Sequence, residues 1–145
     1  MKTVIPSIVS VMTPFPHSIA AEETLAAARR MMEHHGIGHL PVTQDGRLVG
    51  VLLEQQLRPS HRADDEEPLE DVLDVGKVCS PSPFVVQVTD QLDNVVMEMA
   101  RRRESCVLVL RNEKLAGILT SSDVCRLLAE RLRSDSAAGG NDEPA

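Results

Sequence analysis

Tyrosine and tryptophan are absent from this 145-residue chain, and phenylalanine occurs twice. Stacking platforms for single-stranded nucleic acid therefore have almost nothing to be built from. A basic excess is missing as well. The net charge of −7 and the pI near 5.2 oppose binding to DNA or to an anionic membrane. No apolar run approaches the roughly 18 residues of a membrane span. The N-terminal stretch MKTVIPSIVSVMTPFP has one Lys, and Pro6 interrupts its apolar residues before any convincing cleavage site, so a secretory leader is not expected. The three cysteines (Cys79, Cys106, Cys125) are odd in number and lack C-x-x-C spacing, which suits reduced thiols in a cytosol. No nucleophile setting, paired-carboxylate motif or phosphate loop is present, so no enzymatic role is expected. What is present is 42% hydrophobic content, enough for a buried core. The expectation is a soluble, acidic, cytoplasmic protein.

The informative feature is an internal repeat. Residues 11–57 set over 78–124 without a gap align Val11 with Val78, Pro14 with Pro81 and Leu25 with Leu92. The same offset aligns Met32 with Met99, Val42 with Val109, Leu48 with Leu115 and Gly50 with Gly117. Each copy opens with a Pro-punctuated extended segment (11–20 and 78–88), strand-like at FVVQV. A helix follows. In the second copy Leu92, Val95, Val96, Met99 and Ala100 form one apolar stripe, and Leu25, Ala28 and Met32 form a narrower one in the first. Two hairpins come next, with turns at Gln44-Asp45-Gly46 and Arg111-Asn112-Glu113. A second helix starts after Thr120, with Val124, Leu127, Leu128 and Leu132 on one face; its counterpart after Leu53 soon meets Pro59 and should end early.

The unit is thus β-α-β-β-α, twice, an α+β chain of two packed repeats. The expected organisation is a first repeat over 1–60, an acidic linker over 61–74 with a helical turn around Leu69–Leu73, and a second repeat over 75–133. Residues 134–145 lack large apolar side chains and are expected to be a disordered tail.

The segment GILTSSDV (117–124) carries the chemistry, whereas its partner GVLLEQQL (50–57) keeps the frame but has Leu53 for Thr120 and Gln56 for Asp123. Thr120 is placed to cap the last helix, with Ser121 and Ser122 in its first turn. Free N–H groups at such a terminus favour phosphate, and a carboxylate at Asp123 suits both hydroxyls of a ribose. A purely structural alternative is that Thr120 caps and Asp123 complements the helix dipole.

Taken with VMTPFPHSI and VCSPSPFVV, and with GIGHLPVTQDGRLVGVL and SCVLVLRNEKLAGIL, this segment makes residues 8–132 resemble a tandem pair of CBS domains, a Bateman module. The resemblance implies two repeats packed about a pseudo-twofold axis, with clefts for an adenosine-containing ligand such as AMP, ADP, ATP or S-adenosylmethionine. It implies a regulatory module acting on a partner protein that the sequence does not identify, and commonly a homodimer. No cofactor and no metal enter the expectation, with the nucleotide serving as a regulatory ligand. Carried over by position, one cleft takes Ile118, Thr120, Ser122, Asp123 and Cys106 from the second repeat. Phe15, Ala20, Ile37 and Gly38 come from the first. The pseudo-symmetric cleft would use Val51, Leu53, Gln55 and Gln56 with Ser82, Gln87, Glu104 and Ser105, and is expected to be weak or empty. The rival to this reading is an interaction module that uses neither cleft.

The cluster His34, His35 and His39 invites a metal reading, but adjacent histidines at a helix end point apart and lack spaced Cys or carboxylate partners. Complementation of the helix dipole before Gly36 is the expected role. The same applies to Arg101, Arg102 and Arg103, with phosphate contact as an alternative. Cys106 is expected to be a small buried residue rather than a reactive thiol.

Overall fold

A computed structural model describes residues 4–57 and 69–138. The chain begins with a helical turn, α1 (Ile8–Val11), and a two-residue strand, β1 (Thr13–Pro14). Strand β2 (Ile19–Ala20) leads into helix α2 (Leu25–His35), which the Thr24 side chain caps by accepting from the Ala27 N–H at 3.1 Å. Strands β3 (His39–Gln44) and β4 (Arg47–Leu53) form a hairpin, and a 3-10 turn, η1 (Glu54–Leu57), follows. The second copy repeats this order with α4 (Val75–Val78), β5 (Val85–Gln87), α5 (Leu92–Arg102), β6 (Cys106–Arg111), β7 (Lys114–Thr120) and α6 (Ser121–Ala138). A helical turn, α3 (Leu69–Val72), precedes it where one was expected; the remainder of the acidic stretch lies largely outside the described residues.

The duplication extends to irregularities. Both hairpins shift register at equivalent places, between Val42 and Thr43 and between Val109 and Leu110. Both turn through two residues of positive φ, Asp45-Gly46 and Asn112-Glu113. Primed turns of this kind match the twist of the flanking strands.

The two sheets run β2-β3-β4 and β1-β7-β6-β5. Strand β1 therefore belongs to the sheet of the second repeat, pairing Thr13 with Ile118. The symmetry mate of that pair is the bridge between Ser80 and Val51, by which the second copy reaches the first sheet. The opening helical turns are exchanged in the same way. Ile8 and Met12 pack in the core with Val86, Leu92 and Leu119, whereas Val75 packs with Ile19, Leu25 and Leu52. The expected split into 1–60 and 75–133 describes the sequence copies, but each copy lends its first residues to the other.

This exchange explains the shared glycine of the two quoted segments. A β-carbon on Gly50 would sit 2.5 Å from the Ser80 carbonyl oxygen and 2.8 Å from Cys79 Sγ. One on Gly117 would run into the Met12 side chain. Met12 and Cys79 are equivalent positions, so each exchanged segment crosses its host strand where no side chain intervenes.

A third apolar cluster of Val51, Cys106, Leu108 and Ile118, flanked by Leu53, joins the sheets between the repeats. The helices lie outside. Buried Leu25, Ala28 and Met32 on α2, and Leu92, Val95 and Met99 on α5, are the expected inward stripes. Helix α6 departs from expectation twice. It continues to Ala138, past Arg133, because Ser134–Ala138 contains no Gly or Pro and ends in two alanines; residues 139–145 lie outside the described set. On its apolar face Val124 and Leu127 pack on the core, but Leu128 and Leu132 remain 57% and 59% exposed. No described helix is long and apolar enough to cross a membrane.

Candidate ligand site

Strand β7 passes directly into α6, and the junction is held by a reciprocal cap. The Thr120 N–H donates to Asp123 Oδ2 at 2.9 Å, and the Thr120 hydroxyl donates to the same oxygen at 3.1 Å. In return the Asp123 N–H donates to Thr120 Oγ1 at 3.4 Å. This is the capping-box arrangement, with the carboxylate three residues after the cap. Asp123 Oδ1 is reached by Arg126 Nη1 at 3.3 Å, from a largely exposed side chain. Asp123 is 6% exposed and is the one buried charged side chain among the described residues. Burying a carboxylate is costly unless it is well bonded, and here the helix terminus supplies that bonding.

The other sequence-predicted residues are spread over several elements. Ile118 is buried between the repeats, opposite Thr13 of the exchanged strand. Phe15 follows that strand and is 88% exposed, held at φ 47 by its N–H bond to the Ala116 carbonyl. Ala20 is half-buried on β2, and Ser122 is exposed in the first turn of α6. Ile37 and Gly38 connect α2 to β3 and line a cavity of about 320 Å³ with Arg29, Glu33 and Glu54. The open side of Gly38 is taken by Glu54, whose Oε2 would lie 3.2 Å from an added β-carbon. The bare side of Gly38 therefore faces a carboxylate.

Cys106 also moves. Its thiol lines a cavity of about 270 Å³ with Val51, Leu53, Ser82, Phe84 and Glu104. These residues belong to the pseudo-symmetric cleft, so Cys106 faces the opposite side from the Asp123 junction. The reason is the pseudo-twofold axis, which turns equivalent strand positions toward opposite clefts. The cleft expected to be weak or empty thus encloses real space. Gln56 is nevertheless engaged: its Oε1 accepts from the Leu53 N–H at 2.7 Å, and its amide donates to Ser80 Oγ at 3.2 Å.

A model of the CBS domain matches the chain twice, over residues 8–60 and 75–130. The chain belongs to the CBS domain family. Hypoxic response protein 1 of Mycobacterium tuberculosis is 28% identical over 113 residues, which is 77% of this chain and 78% of that protein. The solved structure of CBSX2 in complex with AMP is 25% identical, with a TM-score of 0.70 over 86% of this chain and 97% of the other. The CBS domain pair of protein MJ0100, solved with 5′-methylthioadenosine and S-adenosyl-L-methionine, is 20% identical. Its TM-score is 0.72, over 88% of this chain and 99% of that one.

In this CBS pair one participant escaped the sequence reading. His39, at the start of β3, shares a hydrogen bond with Ser105 Oγ of the second repeat at 3.1 Å. Burial lowers its pKa below 6.5, while Asp123 and Glu54 pull it back up. The first repeat therefore presents a titratable ring to the Asp123 carboxylate. Its place in HHGIGH made it read with His34 and His35 as a histidine cluster, and only the axis brings it to Asp123. Among the described residues no three His, Cys, Asp or Glu are arranged to hold a metal ion.

The remaining candidates have defined positions. Arg101 and Arg102 both bind Glu98 at 2.8 Å, and Arg102 lies 4.5 Å from the Phe84 ring centroid. Arg103 occupies the left-handed position that ends α5. The Cys106 thiol is pushed up to about 11, by burial first and by Glu104 second, so it is protonated at neutral pH.

Proposed function

We propose that this CBS pair is a cytoplasmic regulatory module that binds an adenosine-containing ligand in the Asp123 cleft and passes the change to a partner protein. AMP, ADP, ATP and S-adenosylmethionine are the candidates, acting as regulatory ligands rather than cofactors, with no catalytic step. Thr120, Ser122, Asp123 and Ile118 would hold ribose and phosphate, and Phe15, Ala20, Ile37 and Gly38 would frame the base. The observation that carries this reading is Asp123 itself, a buried carboxylate at a helix N-terminus beside a histidine of the other repeat. Its Oδ1 meets an exposed arginine at 3.3 Å and can accept a further hydroxyl. The complexes of related pairs with AMP and with S-adenosyl-L-methionine support the ligand class.

A second reading is favoured by the 270 Å³ cavity beside Leu53. Its lining joins Val51, Leu53, Pro81, Pro83 and Phe84 to three serines and Glu104 and includes no Lys or Arg, which favours an uncharged adenosine derivative over a nucleotide. Calorimetry with AMP, ATP, S-adenosylmethionine and 5′-methylthioadenosine separates the two. Loss of AMP binding in Asp123→Asn supports the first site. Binding of the thioether unaffected by that substitution supports the second, and no heat with any of them at millimolar concentration sinks both.

Coupling to a partner requires only that ligand favours one arrangement of the repeats or of two modules. We propose a homodimer through the outer helices. Its support is the groove of Val96, Met99, Ala100, Val124 and Cys125, next to exposed Leu128.

A further inference from the structure

The imidazoles of His17 and His35 are stacked, with centroids 3.6 Å apart and planes 12° from parallel. His34 meets His35 edge-on at 4.8 Å. His17 lies in the segment between β1 and β2, and His35 is the last residue of α2. The equivalent positions in the second repeat are Phe84 and Arg102, which form the cation–π contact at 4.5 Å. Both repeats thus tie the approach to an edge strand, β2 or β5, to the end of the following helix, α2 or α5. In the second the tie contains a permanent cation over a neutral ring. In the first both partners titrate.

The neutralising group also differs. Glu98 binds Arg101 and Arg102, but the first-repeat counterpart of Glu98 is Met31, packed against the core. His35 is exposed, and the groups acting on it are His17 across the gap and His34 along the helix; desolvation within the ring cluster, His17 and His34, in that order, lower its pKa. One proton on the stack leaves an imidazolium over a neutral ring, which is attractive. A second proton puts like charges face to face, and the stack repels itself.

We propose that His17 and His35 are a pH-operated latch on the Asp123 cleft, closed near neutral pH and released by acid, lowering ligand affinity as it opens. The inference rests on the proposed ligand site, because the latch joins the 15–20 segment to the 36–38 turn, the two first-repeat walls of that site. The second-repeat tie, Phe84 with Arg102, stays closed throughout.

The test has a ligand-free arm and a binding arm. In the ligand-free chain the His35 ring, followed by NMR, should titrate below 6.5, and His17→Ala should move its midpoint back toward 6.5. Unchanged midpoints overturn the latch whatever the chain binds. In the second arm AMP affinity is measured at pH 7.5 and 5.5. The double variant H17F/H35R, which copies the second-repeat pair, should keep its affinity where the native chain loses about tenfold more, as a competent fraction near one-tenth implies. His39 and the AMP phosphate titrate equally in both proteins, so the difference isolates the latch. His17→Ala serves should the double variant not fold, and should bind AMP weakly even at pH 7.5. Equal pH dependence in native and variant chains overturns the proposal. Absence of binding at both pH values by AMP, ADP, ATP and S-adenosylmethionine alike overturns the site reading instead, and leaves the ring titrations to judge the latch.

Discussion

Gln56 closes on the backbone N–H of Leu53 at 2.7 Å, the same bond by which Asp123 closes on the N–H of Thr120 at 2.9 Å. The two residues are symmetry mates, so the replacement of carboxylate by amide preserved the cap and discarded the charge. In the first repeat the spare amide hydrogens are spent on Ser80 Oγ and the Val78 carbonyl. In the second, the spare oxygen points toward Arg126. The contrast between GVLLEQQL and GILTSSDV is therefore one of chemistry laid over a conserved helix start.

That equivalence makes Asp123→Asn more informative than Asp123→Ala. Asparagine can accept the Thr120 bond as Gln56 accepts that of Leu53, so the thermal midpoint should change little. Adenosine-ligand affinity should fall by about 1–3 kcal/mol, the worth of a charge-assisted hydrogen bond. Gln56→Ala should do the reverse, costing about 1 kcal/mol of stability with binding at the Asp123 cleft unchanged. Equal losses of affinity in the two variants, by calorimetry, would overturn the one-site assignment.

The exchanged segments give an ordering of two glycine substitutions. An alanine at Gly50 meets a backbone carbonyl, which cannot move without breaking the Val51–Ser80 bridge. An alanine at Gly117 meets the flexible Met12 thioether. Gly50→Ala should cost about 2–3 kcal/mol and Gly117→Ala nearer 1 in denaturant unfolding, as overpacking typically does. The opposite order would contradict the exchanged arrangement.

Much of this was legible in the chain. The offset aligned not only Gly50 with Gly117 but also the bulged positions Val42 and Val109, and the helix stripes appeared where Leu25 and Leu92 begin them. The exchange of Ile8–Pro14 was not legible, because Ile8 and Met12 are as apolar whichever core receives them. Cys106 was assigned to the wrong cleft, since strand alternation gives a face but not which side of the axis it meets. His39 was missed for the same reason, its partner Ser105 lying 66 positions away.

Acid should weaken the fold through His39 as well as through the latch. Burial holds His39 neutral with a pKa below its unfolded value of 6.5. The unfolded chain then binds more protons in that interval, so stability rises with pH up to about 6.5 and is lost as pH falls below it. Unfolding free energy measured between pH 5 and 8 should show that slope, and His39→Gln should flatten it. A slope unchanged in the variant would remove His39 as its source.

The thiols should react in an order set by environment. Cys125 is exposed on α6, whereas Cys106 is buried, with its thiol pushed up to about 11. Alkylation at pH 8, at a concentration too low for the proposed dimer to cover the α6 groove, followed by mass spectrometry should label Cys125 first and leave Cys106 protected until denaturant is added. Prompt labelling of Cys106 would mean that the cavity beside Leu53 opens readily in the native chain.

The outer face of α6 carries the last prediction. Leu128 and Leu132 are exposed one helical turn apart, beyond the groove of Val96, Ala100 and Val124. In the first repeat the equivalent groove holds Arg29, Glu33 and Glu54, so of the two equivalent grooves only that of the second repeat is apolar. Two copies that pair second repeat to second repeat would bury apolar surface against apolar surface. Pairing first to second would set charge against it, at a desolvation cost. Leu128→Glu should therefore convert a dimer to a monomer in sedimentation measurements, while Glu33→Ala should leave the mass unchanged. Loss of the dimer in Glu33→Ala, with Leu128→Glu still dimeric, would reverse the assignment of the face.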